Sequence, residues 1–128
     1  MERAEYERMH AVEDRMWWFR GLRRLAGGQL ARALARSPAH GPVLDAGCGT
    51  GGMLATLGPA VAGRATVGLE FDAVAASLAA AKAGRPVASG SANEMPFGAS
   101  TLAAYVSLDV LCHGGVDPAK ALAEARRA

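Results

Sequence analysis

The feature that most constrains the fold of this chain is the stretch from Val43 to Gly52, which reads Val-Leu-Asp-Ala-Gly-Cys-Gly-Thr-Gly-Gly. Its apolar start and closely spaced glycines predict a buried strand, a tight loop and the start of a helix. Glycines accept positive φ and let backbone amides approach a ligand at the N-terminal end of that helix. The stretch therefore predicts a binding site for a nucleotide or a nucleoside.

The glycine spacing is compatible with two classes of cofactor. Gly47, Gly49 and Gly52 satisfy the dinucleotide pattern Gly-x-Gly-x-x-Gly. Glu70 lies about twenty residues further on, where an acid would bind a ribose in that class. Asp45, by contrast, places a carboxylate just before the first glycine, where it would repel a diphosphate and attract a cation. A dinucleotide and a cationic cofactor both remain open at this point.

The run from Asp45 to Gly51 resembles the Asp/Glu-x-Gly-x-Gly-x-Gly signature of class I S-adenosylmethionine-dependent methyltransferases. The cofactor of that family carries an ammonium and a sulfonium and has no diphosphate. The resemblance implies that Asp45, Gly47, Cys48 and Gly49 belong to the cofactor site. The alternative interpretation is a glycine-rich turn that only joins a strand to a helix.

A second segment, Val67 to Asp72, reads Val-Gly-Leu-Glu-Phe-Asp and resembles the next motif of the family. The resemblance implies that Glu70 binds the ribose hydroxyls and that Phe71 lies against adenine. A carboxylate can accept hydrogen bonds from both hydroxyls. The alternative for Glu70 is a helix-capping or solvated acid, although Asp72 is better placed to cap the helix that follows.

A third segment, Gly90 to Phe97, resembles the family pattern Gly-Asp-Ala-Glu-x-Leu-Pro-Phe. In the family, the Asp accepts from the adenine amino group and a neighbouring backbone amide meets the ring. The resemblance gives these roles to Ser91 and Ala92. Because a serine hydroxyl carries no charge, we expect Ser91 to hold adenine less firmly than an Asp would.

The stretch Ser107 to His113 reads Ser-Leu-Asp-Val-Leu-Cys-His and resembles small-molecule methyltransferases of the ubiquinone and menaquinone pathway type. The resemblance implies that Leu108 faces the methionine part of the cofactor. It also makes His113 a candidate catalytic residue, as a general base. A polar surface residue is the alternative interpretation of His113.

Both tryptophans of the chain lie in the N-terminal sequence Trp17-Trp18-Phe19-Arg20. Large aromatic side chains usually supply burial energy, so we predict that this cluster anchors an N-terminal helix to the domain. Some class I methyltransferases begin with a similar segment that closes over the cofactor. That resemblance implies a lid, in which Trp18 contacts the cofactor and Arg20 pairs with its carboxylate.

Strands and helices alternate from Val43 onward, which predicts an α/β fold with a mostly parallel sheet and ligand-binding loops at the strand ends. The resemblance makes this a Rossmann-like three-layer sandwich. We expect an N-terminal helical segment or lid at 1–41 and a cofactor-binding domain at 42–128. The predicted strands start at Val43 and span 65–70, 86–89 and 102–110, and the predicted helices span 21–36, 72–84 and 117–128, with a short one after the glycines.

The strand count predicts a truncated sheet. Four strands are expected here, whereas the sheet of the resembled family has seven. We therefore expect a sheet that lacks the C-terminal strands of the family. The stretch Leu102 to Val110 would then be an apolar edge, which is a template for pairing with another chain. We expect the chain to transfer no methyl group alone, and either to self-associate through this fourth strand or to need a C-terminal partner.

Composition narrows the function classes. Hydrophobic residues make up 51% of the chain, charged residues 20%, and the net charge is +2, which is typical of a globular protein with no nucleic-acid partner. No long apolar run or signal peptide is evident, so we expect a cytoplasmic protein with no membrane partner. Cys48, Cys112 and His113 lack the paired spacing of a metal site, and both cysteines should remain thiols.

These patterns together predict the cofactor-binding half of an S-adenosylmethionine-dependent methyltransferase that acts on a small molecule. Two alternatives stay open. One is a fragment of an NAD(P)-dependent oxidoreductase, which the literal glycine fingerprint would allow. The other is a non-catalytic interaction module that has kept the cofactor fold.

Overall fold

The computed structural model describes residues 1–128 as five α-helices and four β-strands, with one 3-10 turn at Gly58–Ala60. Two helices precede the first strand, and strands and helices then alternate. The helices are α1 Arg3–Val12, α2 Trp17–Arg36, α3 Gly52–Thr56, α4 Ala73–Ala83 and α5 Pro118–Arg127, and the strands are β1 Val43–Ala46, β2 Thr66–Glu70, β3 Val87–Ser89 and β4 Ala104–Val106.

The four strands form one parallel sheet in the order β3-β2-β1-β4. Val43 of β1 pairs with Thr66 of β2 on one side and with Ala104 of β4 on the other. The strand order therefore reverses at β1, and a ligand crevice is expected beyond the carboxyl ends of β1 and β4. The predicted α/β, Rossmann-like fold with a parallel sheet is confirmed.

All four residues of β1 are buried, as expected for a central parallel strand covered on both faces. Alternate side chains enter two hydrophobic clusters on opposite faces. Val43 packs in a cluster with residues of α2 and α3, whereas Leu44 packs in another with Met95 and Ala128. Because α2 contributes to the same core, the N-terminal segment and the sheet fold around one interior. The boundary between an N-terminal segment at 1–41 and a cofactor-binding domain at 42–128 stays a prediction.

Local signals set the ends of the later helices. The Asp72 carboxylate accepts from the amides of Val74 and Ala75 at 2.8 and 3.0 Å and caps α4. Gly84, with φ of 60°, ends that helix in the left-handed conformation. Asp117 caps α5 in the same way as Asp72 caps α4. These caps place the helices where the sequence predicts them.

The fourth strand is shorter than the predicted span 102–110. The structure limits β4 to three residues, all of them only partly buried, so the prediction of a long strand buried on both faces is wrong. After Val106, the Ser107 hydroxyl donates to the carbonyl of Ala46 at 2.9 Å. Asp109 then adopts a positive φ of 56°, which turns the chain away from the sheet.

The predicted aromatic anchor is not observed. Trp17 and Trp18 stack edge to face on each other but are 79% and 52% exposed. Helix α2 begins at Trp17 instead of Gly21 and runs unbroken through Gly27 and Gly28, so the aromatic residues form its first turn. No helix in the chain combines the length and the apolar character needed to cross a membrane.

Candidate functional site

A cavity of about 550 Å³ opens at the carboxyl ends of the strands. Its walls come from the glycine-rich loop, the end of β2, the loops after β3 and β4, and the N-terminal helices. Eight residues predicted for the site line it: Gly47, Gly49, Glu70, Phe71, Ser91, Ala92, Leu108 and His113. The fold thus brings together motifs that are far apart in the sequence.

The glycine-rich loop owes its glycines to backbone conformation and to close packing. Gly47, Gly49 and Gly51 have φ of 71°, 55° and 95°, a region that side chains disfavour. A Cβ at Gly47 would overlap the side chain of Val110, and one at Gly51 would lie 2.7 Å from the Cα of Ala79. The loop is therefore wedged between α4 and the loop after β4.

Glu70 connects the end of β2 to the glycine-rich loop. Its Oε2 accepts from the amide of Gly49 at 2.9 Å, and its Oε1 accepts from the amide of Asp72 at 3.1 Å. The carboxylate lies at the cavity wall, next to Phe71, which is 81% exposed at the rim. An acceptor for hydroxyls and an aromatic ring therefore stand side by side.

Ser91 and Ala92 form the wall after β3. The Ser91 hydroxyl accepts from the amide of Asn93 at 3.1 Å. The Asn93 side chain donates to the carbonyl of Gly115 at 3.0 Å and accepts from the amide of Asp117 at 2.8 Å. This amide clamp joins the loop after β3 to the loop after β4, and the sequence patterns did not predict it.

Asp45 and Cys48 lie behind the cavity wall instead of lining it. Asp45 is 1% exposed, and its Oδ2 has no hydrogen-bond partner. Burial, with additional repulsion from Glu70 and Glu13, raises the pKa of Asp45 to about 7. Burial also raises the pKa of the Cys48 thiol. Asp45 therefore contributes negative charge from beneath the loop when it is ionised.

Trp18 and Arg20 do not line this cavity. Trp18 is half exposed, and Arg20 faces a separate groove beside Arg24. Arg23, one helical turn after Arg20, lines the cavity instead. No feature of the sequence distinguishes Arg23 from its neighbouring arginines, so the sequence did not predict its place in the site.

An ionic network that is buried at Glu13 and exposed at Asp14 holds Arg23 in place. Arg23 donates to Glu13 and Asp14, both at 3.0 Å, and Lys82 binds Glu13 at 2.6 Å and Asp14 at 3.0 Å. The Thr50 hydroxyl donates to Glu13 at 2.6 Å. Burial opposes ionisation of Asp14, but hydrogen bonds from Lys82 and Arg23 outweigh it and lower its pKa. We call these five residues the Glu13 network.

His113 is exposed at the cavity edge. Its backbone amide donates to the carbonyl of Val110 at 3.0 Å, and none of the side-chain hydrogen bonds or ion pairs of the structure involves its imidazole. Its role as a general base stays a prediction.

The cavity carries an excess of acidic groups. Four acids line it, Glu13, Glu70, Asp72 and Asp109, against one arginine and one histidine. Glu13 is neutralised within its network, but Glu70 pairs only with backbone amides. Such a site favours a ligand with cationic groups and disfavours a diphosphate.

The sequence model of a family described as methyltransferase domain matches residues 44–128 of this chain. The search of curated proteins found no match to this chain. Among solved structures, a SAM-dependent methyltransferase from Thermotoga maritima is 26% identical, with a TM-score of 0.61, and the match covers 97% of this chain and 51% of that one.

Two further solved structures share the fold. The YcgJ protein from Bacillus subtilis is 23% identical, with a TM-score of 0.65, and the match covers 81% of this chain and 45% of that one. Geranyl diphosphate C-methyltransferase from Streptomyces coelicolor is 19% identical, with a TM-score of 0.65, over 79% of this chain and 38% of that one. This chain thus spans about half, or less, of the length of these structures.

The family match extends over more than half of the chain and contains β1 from Leu44 onward, the glycine-rich loop and every later element. The fold and the order of the motifs agree with it. The resemblance to class I S-adenosylmethionine-dependent methyltransferases is thereby confirmed, and the chain belongs to the methyltransferase domain family.

Proposed function

We propose that this chain binds S-adenosylmethionine in the 550 Å³ cavity and supplies the cofactor-binding part of a methyltransferase that acts on a small molecule. One observation carries the proposal. The Glu70 carboxylate is held at the cavity wall by the amide of Gly49, so that an acid and the glycine-rich loop present one combined surface. This arrangement suits a ribose beside a cationic group.

The residues at one end of the cavity fit an adenosine. Glu70 would accept from the ribose hydroxyls, and the exposed ring of Phe71 would cover adenine. The Ser91 hydroxyl would accept from the adenine amino group, while the amide of Ala92 would donate to the ring. Ser91 can do this while it still accepts from Asn93, because a hydroxyl oxygen has two lone pairs.

The residues at the other end fit a zwitterionic amino acid. The buried Asp45, with its unpartnered Oδ2, would stabilise an ammonium group above the glycines. Arg23 would pair with a carboxylate, since it lines the cavity where the predicted Arg20 does not. Gly47 and Gly49 leave room for this part of the ligand to approach the backbone.

The bound cofactor would supply a methyl group that its sulfonium already activates. The protein would then act mainly by positioning the acceptor against the methyl group, which can lower a reaction barrier by several kcal/mol. Leu108 and Val110 supply apolar surface that limits water near the site. His113, at the cavity edge, would accept a proton from an acceptor, but this chemistry does not need a dedicated base.

We propose a small molecule with an apolar part as the methyl acceptor. Half of the 24 lining residues of the cavity are hydrophobic, among them Met9, Phe19 and Leu22 of the N-terminal helices. The Streptomyces coelicolor relative is a geranyl diphosphate C-methyltransferase. The geranyl part of its substrate supports an apolar acceptor, whereas the acidic lining of this cavity disfavours a diphosphate on it. Self-association through β4, a cytoplasmic location and the absence of nucleic-acid or membrane partners stay predictions.

Calorimetric titration with S-adenosylhomocysteine and, separately, with NAD tests the proposal. We expect heat of binding from S-adenosylhomocysteine and none from NAD. Binding of NAD alone would replace the proposal with an oxidoreductase-type site. A folded protein that binds neither would favour the interaction module.

A further inference from the structure

The Glu13 carboxylate is buried at the junction of α1 and α2, with 5% of the residue exposed. Both of its oxygens are occupied. Oε1 accepts from Thr50 and from Lys82, each at 2.6 Å, and Oε2 accepts from Arg23 at 3.0 Å. One side chain therefore bonds the glycine-rich loop, α4 and α2 at once.

The bond to Thr50 is distinctive because of where Thr50 stands. Among residues 47–52, only Cys48 and Thr50 carry side chains, and only the Thr50 side chain bonds to a group outside the loop. Its neighbour Gly49 holds Glu70 by a hydrogen bond, and its other neighbour Gly51 has a positive φ. Thr50 thus provides the one hydrogen bond from a side chain of this loop, which backbone hydrogen bonds and close packing hold elsewhere.

Packing at Gly52 supports the same connection. A Cβ at Gly52 would overlap the guanidinium of Arg23 and press on the Glu13 carboxylate. The last glycine of the motif is therefore required by the N-terminal segment, not by a ligand. Glu13 and Arg23 lie directly on the point where the loop becomes α3.

Burial of a charged network is weak evidence for a stabilising role, because desolvation offsets much of the attraction between the charges. The geometry explains the network better as a means of fixing the loop. If the loop shifts, the Gly49 amide leaves Glu70 and the cavity wall loses its shape.

We propose that Glu13 is a positioning residue for the cofactor site. Acting through Thr50, it holds the glycine-rich loop where the Gly49 amide and the Glu70 carboxylate meet, and it thereby sets the affinity for the cofactor. This inference rests on the proposed function. It assigns to the N-terminal segment a role in fixing the loop by hydrogen bonds, which is distinct from direct contact with the ligand.

The test is a double-mutant cycle on the affinity for S-adenosylhomocysteine, with Thr50→Val and Glu13→Gln as the single variants. Thr50→Val keeps the shape of the side chain and removes only the hydroxyl. We expect each single variant to bind about tenfold more weakly and the double variant to bind no more weakly than Glu13→Gln alone. Glu7→Gln is the matched control, because Glu7 pairs with Arg3 on the exposed side of α1 and should leave the affinity unchanged.

A purely structural role predicts a different result, in which the variants melt at lower temperature but their folded forms bind S-adenosylhomocysteine as tightly as the wild type. That result would overturn the inference and leave the proposed function intact. Independent, multiplying losses in the double variant would also overturn it, since they would mean that Thr50 contacts the ligand itself. A folded wild-type chain that fails to bind would overturn both.

The affinity of Glu13→Gln can be compared with that of the wild type only if the variant folds, since the substitution leaves Arg23 and Lys82 without their buried anion. If it does not fold, Thr50→Val decides alone. The expected result is weaker binding together with faster hydrogen exchange at the amides of Gly49 and Gly51. Unchanged exchange and affinity would refute the positioning role.

Discussion

At the scale of single residues, Asp45 stands out as an acid kept where its charge is disfavoured. Burial is the main reason that its pKa rises from 3.8 to about 7, and Glu70 and Glu13 add to the effect. Between those two pH values the folded state retains a proton that the unfolded chain releases. The contribution of Asp45 to the free energy of unfolding therefore falls as pH rises from about 4 to about 7.

We predict that Asp45→Asn gains stability relative to the wild type across that pH range, by up to roughly 4 kcal/mol. Asn cannot ionise, so it avoids the penalty that the wild type meets at neutral pH. Urea unfolding of both proteins at pH 4.5, 6 and 8 measures the difference. A gap that stays constant with pH would show that Asp45 is not protonated in the fold.

Glu70 is the residue on which the proposed cofactor site depends most. We predict that Glu70→Ala weakens binding of S-adenosylhomocysteine by an order of magnitude or more, because hydrogen bonds to a charged group contribute about 1.5 to 3 kcal/mol each. Calorimetry on the folded variant measures this loss. Glu94→Ala is the control, since Glu94 is exposed and does not line the cavity. Equal affinities of wild type and Glu70→Ala would remove Glu70 from the site.

At the scale of elements, local signals explain why much of the fold is predictable. Helix α4 has its cap at Asp72 and its stop at Gly84, both visible in the sequence. β1 is a short, largely apolar run that a glycine follows, and β2 is a short, largely apolar run that ends on an acid. Each of these signals acts within a few residues, so the sequence predicts these elements and the motifs that line the cavity.

The features that the sequence could not reveal depend on distant contacts. Glu13 forms hydrogen bonds with Thr50 and Lys82, which are 37 and 69 positions away in the sequence. No local spacing pattern predicts such pairs. The apolar run after Val106 looks like more strand, yet Ser107 ends the ladder by bonding the carbonyl of Ala46. Trp17 also misleads, because its size suggests burial while its position on α2 faces outward.

The Asn93 clamp gives a prediction for the two loops that it joins. We expect Asn93→Ala to speed hydrogen exchange at the amide of Asp117, which loses its acceptor, and to loosen the loop that carries His113. The free energy of unfolding should fall by about 1 kcal/mol, as for one or two exposed hydrogen bonds. Hydrogen exchange measured by mass spectrometry checks this, with the amides of β2 as an internal reference. Equal exchange in both proteins would mean that the loops hold each other by other contacts.

At the scale of the whole molecule, the two edges of the sheet differ. β3 is preceded by Arg85 and Pro86, and a charge and a proline both discourage strand pairing at an edge. β4 has neither, since the residues around it from Thr101 to Leu108 are uncharged. β4 pairs with β1 on one side only, so its other side presents free backbone groups in the described chain.

We predict that the chain self-associates through β4 as its concentration rises, because an unprotected apolar edge is a template for another strand. Light scattering over a hundredfold range of concentration should show an increase in mean mass. The β3 edge serves as the internal control: hydrogen exchange should slow at Ala104–Val106 on association and stay unchanged at Val87–Ser89. Slower exchange at both edges would indicate unspecific aggregation. A constant monomer mass, with no change in exchange at the β4 amides, would contradict the prediction. It would mean that the partial burial of this short strand already prevents another strand from pairing with it.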